Sequence, residues 1–171
     1  MKKAVREDIC DEQLFSAIYN KLSDSLYHFL YYKFGEEYLP SDKVQEAFIK
    51  LWKNCAKIAP DKAKSFLFTT ANNLMLNEVA HKKVVLKYQN LPRKKSDSET
   101  PEFVLREKEY HAQLTAAINR LSEAQRVAFL MNRIEGKRFK EIASLLDISV
   151  KAVEKRVYGA LKQLRKEIKE I

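Results

Sequence analysis

Lys151, Glu154, Lys155, Tyr158, Lys162 and Arg165 fall at intervals that a helix turns into one row of side chains. Cationic heads in such a row neutralise phosphates. A carboxylate or amine near the start of the helix can reach base edges in a major groove. Glu154 and Lys155 are the expected base readers, Lys151 shares their face, and Ser149 at the helix start is expected to join the same DNA-binding set. Tyr158 is expected to pack against the groove or a phosphate, and Arg156, Lys137, Arg138 and Lys140 to contact backbone. A second set lies near the middle of the chain, where Asn72, Asn73 and Asn77 interrupt an apolar run. Asn is a poor helix former, so a purely structural helix gains nothing from three of them. Amides do read base edges, above all on bases swung out of the stack. Lys62 and Lys64 before this run, and His81, Lys82 and Lys83 after it, are placed to hold phosphates. Phe66 and Phe68 can stack on an exposed base or fill a core, and one of the two is expected to point inward. A third set is Asp42, Gln45, Glu46, Ile49 and Lys50. They share the face opposite an apolar stripe, and an Ile exposed among acids and an amide suits a protein-binding surface.

Positioning these groups takes helices. Phe139, Ile142, Ala143 and Leu146 share one face, Asp147-Ile148-Ser149 breaks the pattern, and Val150, Val153, Val157, Ala160, Leu161 and Leu164 resume it. Asp tolerates a left-handed turn, Ser149 is a good N-cap, and Ala143 is small where two helices would cross. Two short helices on a tight turn, the second with a basic outer face, describe a helix-turn-helix. The blander alternative is an amphipathic hairpin with a solvated charged face. Upstream, Ser122-Glu-Ala-Gln125 matches a capping box for a helix burying Val127, Leu130, Met131 and Ile134, which Gly136 ends. Before it a helix carries Phe103, Tyr110, Leu114, Ala117, Ile118 and Leu121.

Toward the N-terminus, Leu14 to Leu22 and Leu26 to Phe34 mark two helices, the second closed by Gly35. Ser41 is expected to cap a third with Val44, Ala47, Phe48, Leu51 and Trp52 on its buried stripe. A loop containing Pro60 leads into a long helix from about Ala63 to about Tyr88, burying Leu67, Ala71, Leu74 and Met75. The intervening QNLPRKKSDSETP has linker composition. The expected fold is all-α, with two helical domains at 9–88 (a four-helix block) and 102–171, joined by a flexible linker over 89–101.

Composition narrows the function. A net charge of +9 on 171 residues and a pI near 9.4 favour a polyanionic partner, and the helix-turn-helix makes that nucleic acid. No apolar run is long enough to span a membrane, and the N-terminus lacks the apolar core of a signal peptide, so a cytoplasmic protein is expected. Cys10 and Cys55 stand in no CxxC or CxxH arrangement and read as packing residues in a reducing compartment. His28, His81 and His111 have no neighbours at metal-ligand spacing, so neither metal nor cofactor is expected. Nor is there a Gly-rich phosphate loop, nucleophile elbow or paired-carboxylate signature, which argues against an enzyme and a small-molecule substrate.

The same residues resemble a known family. DKVQEAFIKLW (Asp42 to Trp52) is similar to region 2.2 of bacterial sigma-70-family factors, and FLFTTANNLMLNEVAHKK (Phe66 to Lys83) to regions 2.3 and 2.4. The stretch from Leu121 to Lys166 resembles region 4, and two domains on a short linker resemble the extracytoplasmic-function (ECF) subgroup. Asp147 stands where the family turn usually has Gly, and AHKK where an Arg-rich run is more usual. The resemblance implies a transcription-initiation factor. It would bind core RNA polymerase through the β′ clamp helices and β flap, and promoter DNA at −35 and −10 elements, with Asn73 as the leading −10 reader. It also allows for a membrane-bound anti-sigma factor. From the residues alone, a conventional helix-turn-helix regulator with an N-terminal sensing or dimerisation module stays open.

Overall fold

The computed structural model describes residues 8–86 and 102–168, with side chains over 8–81 and 109–168. The expected linker at 89–101 and the side chains of Lys82, Lys83 and Phe103 lie outside the described residues. The chain divides into two compact units, Met1–Val84 and Val85–Ile171, and among the described residues every regular element is helical.

The first unit opens on α1, Glu12–Phe34. Asp11 caps it, its carboxylate accepting from the Leu14 N–H at 2.9 Å, and Gly35, at φ 92°, ends it. The expected break between Leu22 and Leu26 is absent. Leu22, Leu26 and Leu30 keep one helical phase and are all buried, and the intervening residues include neither Gly nor Pro, so nothing stops propagation. Among its described residues this unit therefore holds three α-helices rather than four. Helix α2, Pro40–Lys53, is also capped differently from expectation. Leu39 occupies the N-cap in the left-handed region at φ 49°, Pro40 takes the first helical position, and no side chain caps the end. Proline's fixed φ and missing N–H suit that position, which leaves Ser41 inside the helix. Two 3₁₀ turns, Cys55–Lys57 and Pro60–Lys62, lead to α3, Ala63–Leu86.

Val44, Ala47, Phe48 and Leu51 of α2 and Leu67, Ala71 and Met75 of α3 are buried with the α1 leucines. Each large apolar side chain stabilises this core by about 1.5–3 kcal/mol. Leu74 is only half-buried. Phe68 meets Phe29 of α1 with ring centroids 5.2 Å apart. Lys43 bridges α2 to Glu78 of α3 at 3.4 Å. Cys10 and Cys55 correct the sequence reading outright, for they form a disulfide with Cα atoms 5.0 Å apart across 45 residues of sequence. Cys10 lies two residues before α1 and Cys55 two residues after α2, and the antiparallel run of α1 and α2 brings those ends together. Local spacing carries no trace of such a pair.

The second unit contains α4 (Glu102–Arg120), α5 (Glu123–Arg133), α6 (Phe139–Leu146) and α7 (Val150–Glu167). The capping box forms as expected: the Gln125 N–H donates to Ser122 Oγ (3.3 Å) and the Ser122 N–H to Gln125 Oε1 (3.2 Å). Val127, Ala128, Phe129 and Met131 are buried, but Ile134, expected with them, is 71% exposed. It is the C-cap of α5, its N–H still donating to the Leu130 carbonyl, so it keeps the helical phase at the very end of the helix, where its side chain is left to solvent. Gly136, at φ 63°, then redirects the chain. Helix α7 ends against α4 through Arg120–Glu167 (3.0 Å) and a hydrogen bond from Gln163 Nε2 to the Arg120 carbonyl (3.4 Å).

Candidate nucleic-acid and protein-docking surfaces

In the second unit α6 and α7 meet through a turn set by backbone chemistry. Asp147 is left-handed (φ 55°, ψ 47°) and its N–H returns to the Ala143 carbonyl. Ser149 Oγ then accepts from the Ala152 N–H at 3.1 Å, so its oxygen caps α7 while its hydrogen remains free to donate outward. Ala143, Ile142, Val153 and Val157 fill the crossing. What α7 presents outward is Lys151, Lys155, Tyr158, Lys162 and Arg165, with Glu154 and Arg156 half-buried beside them. Tyr158 is 61% exposed, and its ring packs edge-on against Phe139 of α6 at 6.1 Å. It thus braces the two helices as well as facing solvent.

The flanking cations are less uniform. Arg138 and Lys140 are exposed, the Arg138 N–H being held by Glu141 Oε2 at 2.7 Å. Lys137 is half-buried and paired with Glu135 at 3.1 Å, so part of its charge is already compensated.

In the first unit α3 separates the three asparagines. Asn73 and Asn77, four residues apart, are exposed on one ridge with Ser65, Thr69 and Leu76. Asn72 is turned about 100° away from Asn73; its Oδ1 is buried and has no hydrogen-bond partner. It does not join the ridge. Phe66 and Phe68 part company in the same way: Phe68 packs on Phe29, while Phe66 lines a cavity of about 590 Å³ between α3 and the loop before it. Ile58, Lys62, Thr69 and Thr70 share that cavity. Lys62 is exposed and pairs with Asp61 at 3.5 Å. Lys64 is half-buried, and His81 is exposed at the far end of the ridge.

On α2 the third set is partly assembled. Ile49 is 53% exposed and Gln45 stands one turn before it. Asp42 is exposed near the helix start, and Glu46 lies between Lys43 (3.8 Å) and Lys50 (3.5 Å) in a local ion-pair cluster. Sequence reasoning missed the partner wall. Phe15 and Tyr19 of α1 complete a groove of about 710 Å³ with Gln45, Phe48, Ile49 and Trp52. Trp52, expected in the buried stripe, is 43% exposed and packs edge-on to Phe15 at 4.9 Å, as Tyr19 tilts against Phe48 at 4.8 Å. No sequence signal marks this wall, since periodicity places Trp52 on the buried stripe; its exposed ring suits an interface, where aromatic residues with free faces concentrate.

The chain is similar to two family models in an order that matches these surfaces. The model described as Sigma-70 region 2 matches residues 18–84, and Sigma-70, region 4 matches residues 111–164. Together they span well over half of the chain. Among curated proteins it is 26% identical over 147 residues to the ECF RNA polymerase sigma factor SigE of Mycolicibacterium smegmatis, covering 84% of this chain and 57% of that protein. It is 24% identical to the ECF RNA polymerase sigma factor SigW of Bacillus subtilis, covering 94% of this chain and 92% of that one. A chain of the solved RsbN–BldN complex aligns with 94% of this chain and all of its own, at 18% identity and a TM-score of 0.34.

Proposed function

The chain belongs to the sigma-70 family, in its extracytoplasmic-function group, and we propose that it serves as a detachable promoter-recognition subunit of RNA polymerase without catalysis of its own. The observation that carries this reading is the pairing, in one chain and in order, of the region 2 and region 4 matches with an exposed apolar groove in the first unit and an exposed basic face in the second. A conventional regulator needs only the second of these. We assign polymerase docking to the groove side of α2, with Ile49 and Trp52 as apolar anchors and Gln45, Asp42, Glu46 and Lys50 as the polar rim.

Promoter reading divides between the units. Glu154 and Lys155, near the start of α7, are assigned to base edges of the −35 element, with Lys151, Arg156, Arg138, Lys140 and Lys137 on phosphates. Asn73 and Asn77 are assigned to −10 bases, with Lys62, Lys64, His81, Lys82 and Lys83 along the backbone. The cavity beside Phe66 has room for one unstacked base, which Thr69 and Thr70 could hydrogen-bond. Asn72 and Phe68 then support the ridge from behind. We take residues 9–88 and 102–171 as the working domains and 89–101 as their tether. Among the described residues no helix is long and apolar enough to cross a membrane, and a cytoplasmic site of action follows from the proposed partner. An anti-sigma factor, if this chain has one, would have to cover the same α1/α2 groove to block docking.

The test is co-purification with core polymerase beside promoter opening followed by permanganate reactivity. Stoichiometric association and polymerase-dependent opening are expected. Tight promoter binding by the chain alone, with no polymerase association, would return the reading to a conventional regulator.

A further inference from the structure

We propose that Cys10 and Cys55 are a thiol–disulfide switch acting on the α1/α2 groove, with the oxidised form the docking-competent one; this rests on the assignment of that groove to polymerase. The bond joins the chain two residues before α1 to the chain two residues after α2, and those are the ends that frame one mouth of the groove. Glu12 and Phe15 on one side and Trp52 and Lys53 on the other line that mouth. The Phe15–Trp52 contact stands within the same groove. The bond adds a covalent tie to the first turn of α1, beside the Asp11 cap and the buried Ile9.

Two further features favour a switch over a permanent staple. Both cysteines are only half-buried, which sets the bond near the surface, where exchange with small thiols is favoured over that of a core staple. Ile9, between Cys10 and the exposed Asp8, is fully buried, and Asp11 caps α1 independently of the bond. Opening the disulfide therefore leaves the fold anchored and confines the change to the groove mouth.

Closure is a two-step exchange with a low-molecular-weight disulfide as oxidant. One cysteine thiolate attacks it, forming a mixed disulfide and releasing one small thiol. The second cysteine thiolate displaces the other small thiol, closing Cys10–Cys55. Two electrons pass from the protein sulfurs to the oxidant, and the two protons end on the released thiols.

Trp52 is the chain's one tryptophan, so its emission reports the groove mouth without a label. The full chain would be equilibrated in glutathione buffers of graded potential, with thiols counted by alkylation, Trp52 emission recorded and core polymerase affinity measured in each. Reduction is expected to red-shift the emission and weaken polymerase binding at least about 5-fold, at the low end of usual coupling between sites. Far-ultraviolet circular dichroism should stay unchanged. The Cys10→Ser/Cys55→Ser variant should resemble the reduced chain and ignore the buffer. Equal emission in both forms, or equal polymerase affinity in both, overturns the switch. Absence of polymerase binding in every form defeats the docking assignment instead, and the emission still decides whether the groove responds to redox state.

Discussion

A Cβ placed on Gly159 of α7 would lie 2.8 Å from Nε2 of Gln125, the residue whose other amide atom, Oε1, accepts from the Ser122 N–H to complete the α5 cap. The closeness of α5 and α7 and the start of α5 are thus one arrangement. Helix propensity alone favours Gly159→Ala by about 1 kcal/mol, but the methyl displaces the amide and gives up a cap worth about the same. Near-neutral thermal stability is expected for Gly159→Ala in the full chain. In a Gln125→Ala background the same change should stabilise by about 1 kcal/mol. Equal effects in both backgrounds would mean the contact is slack.

Asp147 holds a left-handed conformation that Gly adopts without strain. Asp147→Gly should stabilise the second unit by about 0.5–1 kcal/mol, or roughly 2–8 °C in midpoint. Melting followed by circular dichroism checks it, and a lowered midpoint would show that the Asp side chain contributes more than its backbone costs.

Lys155 is exposed near the start of α7 and Lys137 is already paired. Lys155→Ala is expected to cost the assembled holoenzyme about 1–3 kcal/mol at its preferred −35 site and to relax the choice of base there. Lys137→Ala should weaken all sequences slightly and alike. Binding to a panel of single-base promoter variants separates the two, and a uniform loss for Lys155→Ala would move it to the phosphate class.

Ile49→Asp places a charge in the apolar groove and should weaken core polymerase binding by about 2 kcal/mol, roughly 30-fold. Asn73→Ala should leave that affinity alone and impair strand opening. A pull-down paired with a fluorescence melting assay reads both. Joint loss of polymerase binding in the two variants would end the proposed division between α2 and α3.

Several features decided over a few residues were legible in the sequence, though the expected Ser41 cap of α2 gives way to Leu39 and Pro40. The Ser122–Gln125 box, the left-handed Asp147 and the Ser149 cap all form as their local chemistry dictates. Features decided by what comes to lie opposite were not. Periodicity placed Trp52 on the apolar stripe of α2 but could not say that α1 covers only part of it. The apolar run reads as two helices divided between Leu22 and Leu26, where α1 continues unbroken. Asn72 and Asn73 are adjacent in sequence and serve different faces, a distinction that emerges only when the helix has a core to turn toward. The Cys10–Cys55 pair depends wholly on tertiary placement.

The Lys43–Glu78 bridge ties the helix bearing the groove to the helix bearing the asparagine ridge, and Phe29–Phe68 ties that ridge helix to the groove's other wall. The first unit is thereby a caliper. Whatever grips one jaw is held at a set distance from whatever lies along the other, and that distance is a property of this chain alone. A repacked interior could keep every surface residue unchanged and still misplace one contact relative to the other by an ångström or two. Variants deep in the Leu51–Leu67–Ala71 layer should therefore be judged as alterations of measurement and not only of strength.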